Sequence, residues 1–397
     1  MSTTAILEGE LHAAADDPAR IEADLPAPCV QSHAANLMVL PNRDLGCVWF
    51  GGTQEGLSDI SVWFSRLPHG TSQWTTPVKL SDDPTRSEQN PILFPAPDGR
   101  LWLLHTAQKS GNQDTALVRY RISEDNGLTW RPTGQLFETQ GVFVRQPVVV
   151  LDNRDWLLGV FHCRTEPGVK WVGNNDDSAV RISTDQGKSW FEVAVPNSTG
   201  CVHMNIVKGA HGLLAFFRSR WADNVYISRS ADNGRTWSSP TPTPLPNNNS
   251  SIQVTRLANG HLAIVYNDIS AAEATERRQS LYDEIEDEEE TAAAETPLAA
   301  PSGRTAFWGT PRAPMTIAIS ADDGVTWPWK RNLEVGDGYC MTNNSSDQRN
   351  REYSYPSITQ SADGTIHIAY TVFRQKIRYV RIREQWVTGQ TAKEGEA

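Results

Sequence analysis

No run of about eighteen apolar residues occurs in this 397-residue chain, so nothing in it predicts a membrane-spanning helix. Cysteine is scarce. Its five residues (Cys29, Cys47, Cys163, Cys201 and Cys340) are odd in number and widely scattered, which fits neither a disulfide framework nor a zinc knuckle. A basic excess is also lacking: 36 Lys and Arg stand against 47 Asp and Glu, for a net charge of −11, which argues against a nucleic-acid partner. That acidity is local, because residues 271–300 hold ten acidic side chains and only two basic ones. The remainder is nearly balanced, so overall charge says nothing about what the folded part binds. The opening MSTTAILEGELHAAADD has no basic start followed by an apolar run, and with the scattered cysteines this predicts a cytoplasmic location. Metal-ligand spacings, phosphate loops and dinucleotide fingerprints are likewise missing, and no metal or organic cofactor is expected.

What is present is repetition. Four octapeptides share the pattern Ser-x-Asp-x-Gly-x-Thr/Ser-Trp: SEDNGLTW from Ser123, STDQGKSW from Ser183, SADNGRTW from Ser230 and SADDGVTW from Ser320. The pattern encodes a tight turn in which Asp accepts from backbone N–H groups, Gly takes positive φ, and Trp packs between neighbouring sheets. Six pairs of short apolar segments run along the chain, from HAANLMVL with GCVWF to YPSIT with IHIAYT. The expected fold is therefore all-β: one six-bladed β-propeller over residues 1–397, with four-stranded antiparallel blades. The boxes are spaced by 60, 47 and 90 residues, and the long gap contains the acidic segment. Residues 271–305 read as a disordered insert in blade 5, dispensable for folding. The stretch ARIEADL near the N-terminus is expected to supply the missing strand of blade 6 and close the ring.

Inner strands of a propeller start near its axis, so polar residues there converge on one funnel. His33, Asn36, Gln89, Asn90, Arg145, Gln146, His203, Asn205, Gln253, Tyr353 and Tyr355 occupy such places, and His105, His162, Arg218, Arg220 and Asn267 end the second strands. A packed core would not hold so many polar groups. Two readings remain open: a site for a hydroxyl-rich ligand, or a water-filled axial channel with satisfied polar walls.

The boxes, the sixfold repeat and the segment EYSYPSITQSADGTIHIAYT resemble the sialidase superfamily, also called the BNR or neuraminidase-like family. The resemblance implies three arginines that hold a sugar carboxylate, a tyrosine nucleophile activated by glutamate, and an aspartate acid/base. Carried over to matching positions, it implies Tyr353 as nucleophile, with Tyr355 as the competing choice. It implies Arg218 (or Arg220) and Arg312 as two of the arginines. Where the family has its first arginine and its glutamate, this sequence has His33 and His203. Asp59, or else Glu55, falls near the acid/base position. Arg145, Gln89, Asn90 and His105 complete the expected rim. An exo-acting glycoside hydrolase for a terminal acidic sugar, sialic acid or a related uronate-type glycan, is the leading expectation. The Tyr, His, His, Arg set also resembles propeller lyases that cleave rhamnose–uronate linkages. A third class is a propeller that binds a glycan or a protein without chemistry.

Overall fold

The computed structural model describes residues 8–166, 169–282, 284–285, 300 and 302–389. Its strands form six antiparallel sheets. Blade 1 runs from Gln31–Val39 at the axis through Leu45–Gly52 and Ser61–Leu67 to Val78–Lys79. Blades 2, 4 and 5 repeat that order, beginning with Ser87–Pro95, Cys201–Gly209 and Gln253–Arg256. In blade 3 the inner strand is split into Val142–Val144 and Val149–Val150. Pro147, which cannot donate to the ladder, lies in the break. Blade 6 begins with Tyr353–Gln360, and its third strand Lys376–Ile382 pairs with Ile21–Asp24 from the N-terminal end, as expected for ring closure.

Six apolar clusters fill the six blade junctions. Val48, Val62 and Phe64 meet Leu93 and Leu103 between blades 1 and 2, for example, and Met315 and Ile317 meet Ile366 and Ile368 between blades 5 and 6. The four octapeptides make the expected turn. Asp125 Oδ1 accepts from the Thr129 amide at 2.8 Å, Ser123 Oγ accepts from the Gly127 amide at 2.8 Å, and Gly127 has φ of 85°. The box tryptophans lean on the preceding blade: Trp130 meets Phe64 edge-on, and Trp327 meets Phe216.

Four inner strands share one irregularity. Ladder pairing slips by one residue between His33 and Asn36, Gln89 and Ile92, Val202 and Asn205, and Ser354 and Ser357. Each slip holds a non-glycine residue in the left-handed region: Ala34, Asn90, His203 and Tyr355, with φ of 49–61°. Two residues then face one on the partner strand, which bends the strand and re-aims its side chains.

Below these bulges the axis is filled by amides that latch one blade to the next. Asn36 Oδ1 accepts from the Leu93 amide (2.9 Å), Asn205 Oδ1 from Val254 (2.7 Å), Gln253 Oε1 from Ile358 (2.6 Å), and Ser357 Oγ from Leu37 (2.8 Å). Gln146 donates to the Ile252 carbonyl at 2.6 Å. The satisfied-wall reading is thus correct for Gln146, Asn205 and Gln253, while Asn36 is met only at its oxygen.

The acidic insert departs from expectation where it is described. Residues 283 and 286–299 lie outside the described residues, but Leu281, Tyr282 and Ile285 are buried in an apolar cluster with Phe143, Phe161, Trp171 and Trp308. Their apolar side chains find a packed surface, so this part of the insert is not free of the fold.

Because Gln253 accepts from both Ser357 Oγ and the Ile358 amide, its loss orphans buried donors. Gln253→Ala is expected to cost about 1–3 kcal/mol. Urea unfolding should show a lower midpoint at unchanged slope; an unchanged midpoint refutes the latch.

Candidate functional site

Of the polar residues expected at the axis, His33, Arg145, His203, Arg218 and Arg312 come together as a buried cluster, and Tyr355 stands at its centre. The bulge turns its ring toward the axis, where His33 lies 4.4 Å away and His203 5.8 Å away, centroid to centroid. The guanidinium carbons of Arg145, Arg218 and Arg312 lie 5.4, 5.6 and 5.6 Å from the same ring. Arg218 Nη1 donates to the Tyr355 phenolic oxygen at 2.7 Å. Tyr353 is elsewhere. Its ring packs against Phe373 and Tyr370, away from these arginines. The two tyrosines would share a face in a regular strand, and the left-handed residue at 355 separates them.

Arg218 is held by the run Asn247–Ser251, every residue of which is buried. Asn249 Oδ1 accepts from Arg218 Nε at 2.8 Å, and Ser251 Oγ lies 3.0 Å from His203 Nδ1. Arg145 crosses the axis beneath Tyr355. Its Nη2 donates to the carbonyls of Ala35, Tyr355 and Pro356 at 2.9–3.2 Å, and its Nε donates to Ser251 Oγ at 3.3 Å. This residue therefore ties blades 1, 3, 5 and 6 together as well as lining the floor.

A buried chain of alternating charge closes one side. Glu55 meets Arg374, Arg374 Nε lies 3.3 Å from Glu352, and Glu352 accepts from Arg312 at 3.1 Å. Ser354 Oγ also donates to Glu352, at 2.6 Å. Burial would raise the Glu352 carboxyl, but Arg312 and Arg374 outweigh it and hold it below its usual range. Burial would lower Arg374, yet Glu352 and Glu55 hold it above its ordinary value. Arg145 and Arg218 have no such carboxylate, and burial pulls each down to about 10, so both stay charged at neutral pH. His33 and His203 are pushed well below the ordinary value of 6.5 by burial and by the surrounding arginines, so both are neutral imidazoles.

Several expected rim residues serve elsewhere. His105 lies 3.1 Å from Glu88, which also pairs with Arg119, within the layers of blade 2. His162 bonds Asp177 and Glu192 on outer strands, and Asn267 donates to the Tyr353 carbonyl. Gln89 bonds Ser87, and Asn90 sits at the blade 2 bulge, equivalent to Tyr355. Arg220 is paired with buried Asp176 at 2.7 Å and stacked among Phe161, Trp171 and Trp308, so Arg218 is the arginine that reaches the phenol. Asp59 is exposed and accepts from the Thr53 amide, whereas Glu55 of the same loop is buried beside Arg374.

Arg374 and Glu352 were not singled out in the sequence. Arg374 sits with Phe373 in a hairpin tip where both have positive φ (60° and 57°), a conformation that non-glycine residues seldom signal in advance. Glu352 lies just outside the inner strand, and only its spacing of three from Tyr355 hints at it.

The chain matches no curated protein sequence. Among solved structures it is similar to the Hadza microbial sialidase Hz136, with 13% identity over 90% of this chain and 67% of that one and a TM-score of 0.66. A protein of unknown function from Dyadobacter fermentans gives 15% identity over 91% and 97%, with a TM-score of 0.65. The intramolecular trans-sialidase from Ruminococcus gnavus, in complex with oseltamivir carboxylate, gives 12% over 91% and 96%, with a TM-score of 0.61. Identities this low show a shared fold, the six-bladed propeller of sialidases. The sequence itself matches the BNR repeat-like domain over residues 43–368, and on that extent the chain belongs to the BNR repeat-like family.

Proposed function

We propose that the protein is an exo-acting, sialidase-like glycosidase for a terminal acidic sugar such as a sialic acid, with Tyr355 as nucleophile. The observation that carries this reading is the Tyr355 phenol, buried at the axis, bonded by Arg218 and ringed by three guanidiniums. Positive charge fixed around that oxygen stabilises the negative charge left there when its proton departs. Four buried arginines (145, 218, 312 and 374) face two buried carboxylates (Glu55 and Glu352), so the site favours an added anion. Arg218 Nη2 and Arg145 Nη1 are buried without hydrogen-bond partners, and a sugar carboxylate on Arg218 would supply one.

The reaction follows from these positions. His203, neutral and beside the ring, accepts the phenol proton. The Tyr355 oxygen bonds to the anomeric carbon as the bond to the leaving oxygen breaks. Glu55 is the carboxyl we assign to protonating that oxygen, since it is in the buried cluster and Asp59 is not; to do so it must first leave Arg374 and take up a proton from solvent. Water then attacks the anomeric carbon and gives a proton to the Glu55 carboxylate, while the glycosyl–tyrosine bond breaks and the phenolate takes back the proton held by His203, with retention of configuration. His33 packs on the phenol ring, and its Nδ1 lies 3.9 Å from Glu352 Oε1. A lyase is the second reading. It is favoured by two neutral imidazoles flanking the phenol, a set able to remove a proton beside a carboxylate neutralised by arginine. An ultraviolet-absorbing unsaturated uronate among the products would select it.

Tyr355→Phe should reduce turnover at least about a thousandfold on an acidic glycoside, because the ring remains and the nucleophile is lost. Tyr353→Phe should remain within a few-fold of wild type. The reverse pattern, measured by steady-state kinetics on a panel of acidic glycosides, would return the role to Tyr353.

The acid side separates activity from stability. The pKa of His203 is depressed, so kcat/KM should hold as pH falls below 6.5, and an acid limb at or above 6.5 would exclude it as the base. Unfolded imidazoles gain protons below 6.5 while folded His33 and His203 do not, so the unfolded state binds more protons there. Their contribution to stability is full above 6.5 and lost as pH falls toward their depressed values. His162, raised to about 9 chiefly by Asp177 and Glu192 against its burial, has the opposite sign. The thermal midpoint should therefore fall less steeply below pH 6.5 in His203→Gln than in wild type; equal slopes refute the assignment.

A further inference from the structure

The buried run Asn247–Ser251 leads into the inner strand of blade 5 and reaches the site at two points. Asn249 holds Arg218 by its Nε. Ser251 ends the run, is fully buried, and has three polar neighbours around its hydroxyl oxygen. Arg145 Nε lies 3.3 Å from it, His203 Nδ1 3.0 Å, and the Ile252 carbonyl oxygen 3.5 Å.

His203 depends on this hydroxyl. Its ring packs against those of Phe161 and Tyr355, 5.1 and 5.8 Å away centroid to centroid. Among the described residues its one hydrogen bond is the contact of Nδ1 with Ser251, and Nε2 makes none. A neutral imidazole carries one proton on one of its two nitrogens, and the bond made by one nitrogen decides the state of the other. Which nitrogen of His203 is protonated is therefore set by what the Ser251 hydroxyl does.

A hydroxyl has one proton to give and two lone pairs to receive with. Arg145 Nε can only donate, so it takes one lone pair. The Ile252 carbonyl can only accept, so this contact, the longest of the three, is met only by the hydroxyl proton. The second lone pair is left for His203, and Nδ1 must carry a proton to use it. All three contacts are met together in this arrangement alone. With the hydroxyl proton turned to Nδ1 instead, the contact with Ile252 is lost and the imidazole proton moves to Nε2.

We propose that Ser251 is a positioning residue: its hydroxyl accepts from His203 Nδ1, holds the imidazole in that tautomer, and leaves Nε2 free to take the Tyr355 proton. The last step rests on the glycosidase reading above; the tautomer does not. When the phenol O–H bond breaks, an Nε2–H bond forms and Nδ1–H stays on Ser251, so the proton on Nε2 is the one later returned to the phenolate. In the other tautomer an N–H occupies Nε2, and the phenol has no acceptor there. The same hydroxyl receives Arg145, so the brace of the floor also orients the base.

Nitrogen NMR of the full chain with 15N-labelled histidine reads the tautomer without any substrate. The signals that vanish in His203→Gln belong to His203. In wild type at neutral pH they should show a protonated Nδ1 and an unprotonated Nε2; a protonated Nε2 as the major form overturns the proposal. Ser251→Ala should shift the ratio of the tautomers about tenfold toward protonated Nε2, the worth of one hydrogen bond. On an acidic glycoside it should lower kcat at least about tenfold with KM within about threefold. Ser251→Thr keeps the hydroxyl and should restore both the tautomer and kcat. A raised KM and a lower thermal midpoint with the tautomer unchanged would make Ser251 a brace for Arg145 only, and overturns its role toward His203. If neither variant folds, the wild-type spectrum decides. If no acidic glycan turns over in any form of the protein, the glycosidase reading fails, and the spectra still decide the hold of Ser251 on His203.

Discussion

Everything at the axis depends on one backbone device, the left-handed residue in the inner strands. A regular strand alternates its side chains, and a propeller built only of regular inner strands would present one face to the channel from top to bottom. Inserting one extra residue at Ala34, Asn90, His203 and Tyr355 breaks that alternation at one level of the ring. Above the break, side chains aim into the funnel; below it, Asn36, Asn205, Gln253 and Ser357 reach sideways to the next blade. Each left-handed non-glycine residue costs roughly 1–2 kcal/mol. The latches offset that cost, because each satisfies a buried backbone amide on the inner strand of another blade.

Arg145 joins the two levels. Its guanidinium donates to three carbonyls that the bulges of blades 1 and 6 expose, and its carbon lies 5.4 Å from the Tyr355 ring above. The same group is thus a brace and part of the field at the phenol. This explains how a chain can keep a guanidinium fully buried with no carboxylate beside it: backbone carbonyls take the Nη2 donors, Ser251 takes Nε, and burial lowers its pKa without discharging it. Arg312 and Arg374 use the other solution, pairing with Glu352 and Glu55. The floor is therefore positive toward Arg145 and Arg218 and balanced toward Arg374.

How much of this could be read in the sequence follows from the range of the interactions. The box turns are local, closed within five residues by Ser, Asp and Gly, and their number and spacing gave away blades and fold together. Ring closure was legible too, because ARIEADL alternates like a strand and blade 6 lacked one. The site was legible in kind and misplaced in detail. A bulge has no composition of its own, since Ala, Asn, His and Tyr all occupy it here, so counting along YSY could not choose between Tyr353 and Tyr355. The ion chain was hidden because Glu55, Glu352 and Arg374 come from three separate segments and meet only in the fold. In the insert, like charge concealed Leu281, Tyr282 and Ile285, whose spacing was too short to register as a pattern against so many acids.

The two histidines are best understood through that field. An imidazole buried among four guanidiniums cannot carry its own charge, so His33 and His203 are held neutral, and the arginines lose no attraction for an anion to their neighbours. A carboxylate at His203 would have neutralised Arg218 in the resting site, as Glu352 neutralises Arg312. With histidine there, Arg218 keeps its charge for the Tyr355 oxygen and for a ligand, while a proton acceptor remains beside the phenol. The cost is a site whose positive charge is unbalanced when empty, and a resting contact that screens it with an aromatic face does so without cancelling it. Trp308 over Arg218 is such a contact.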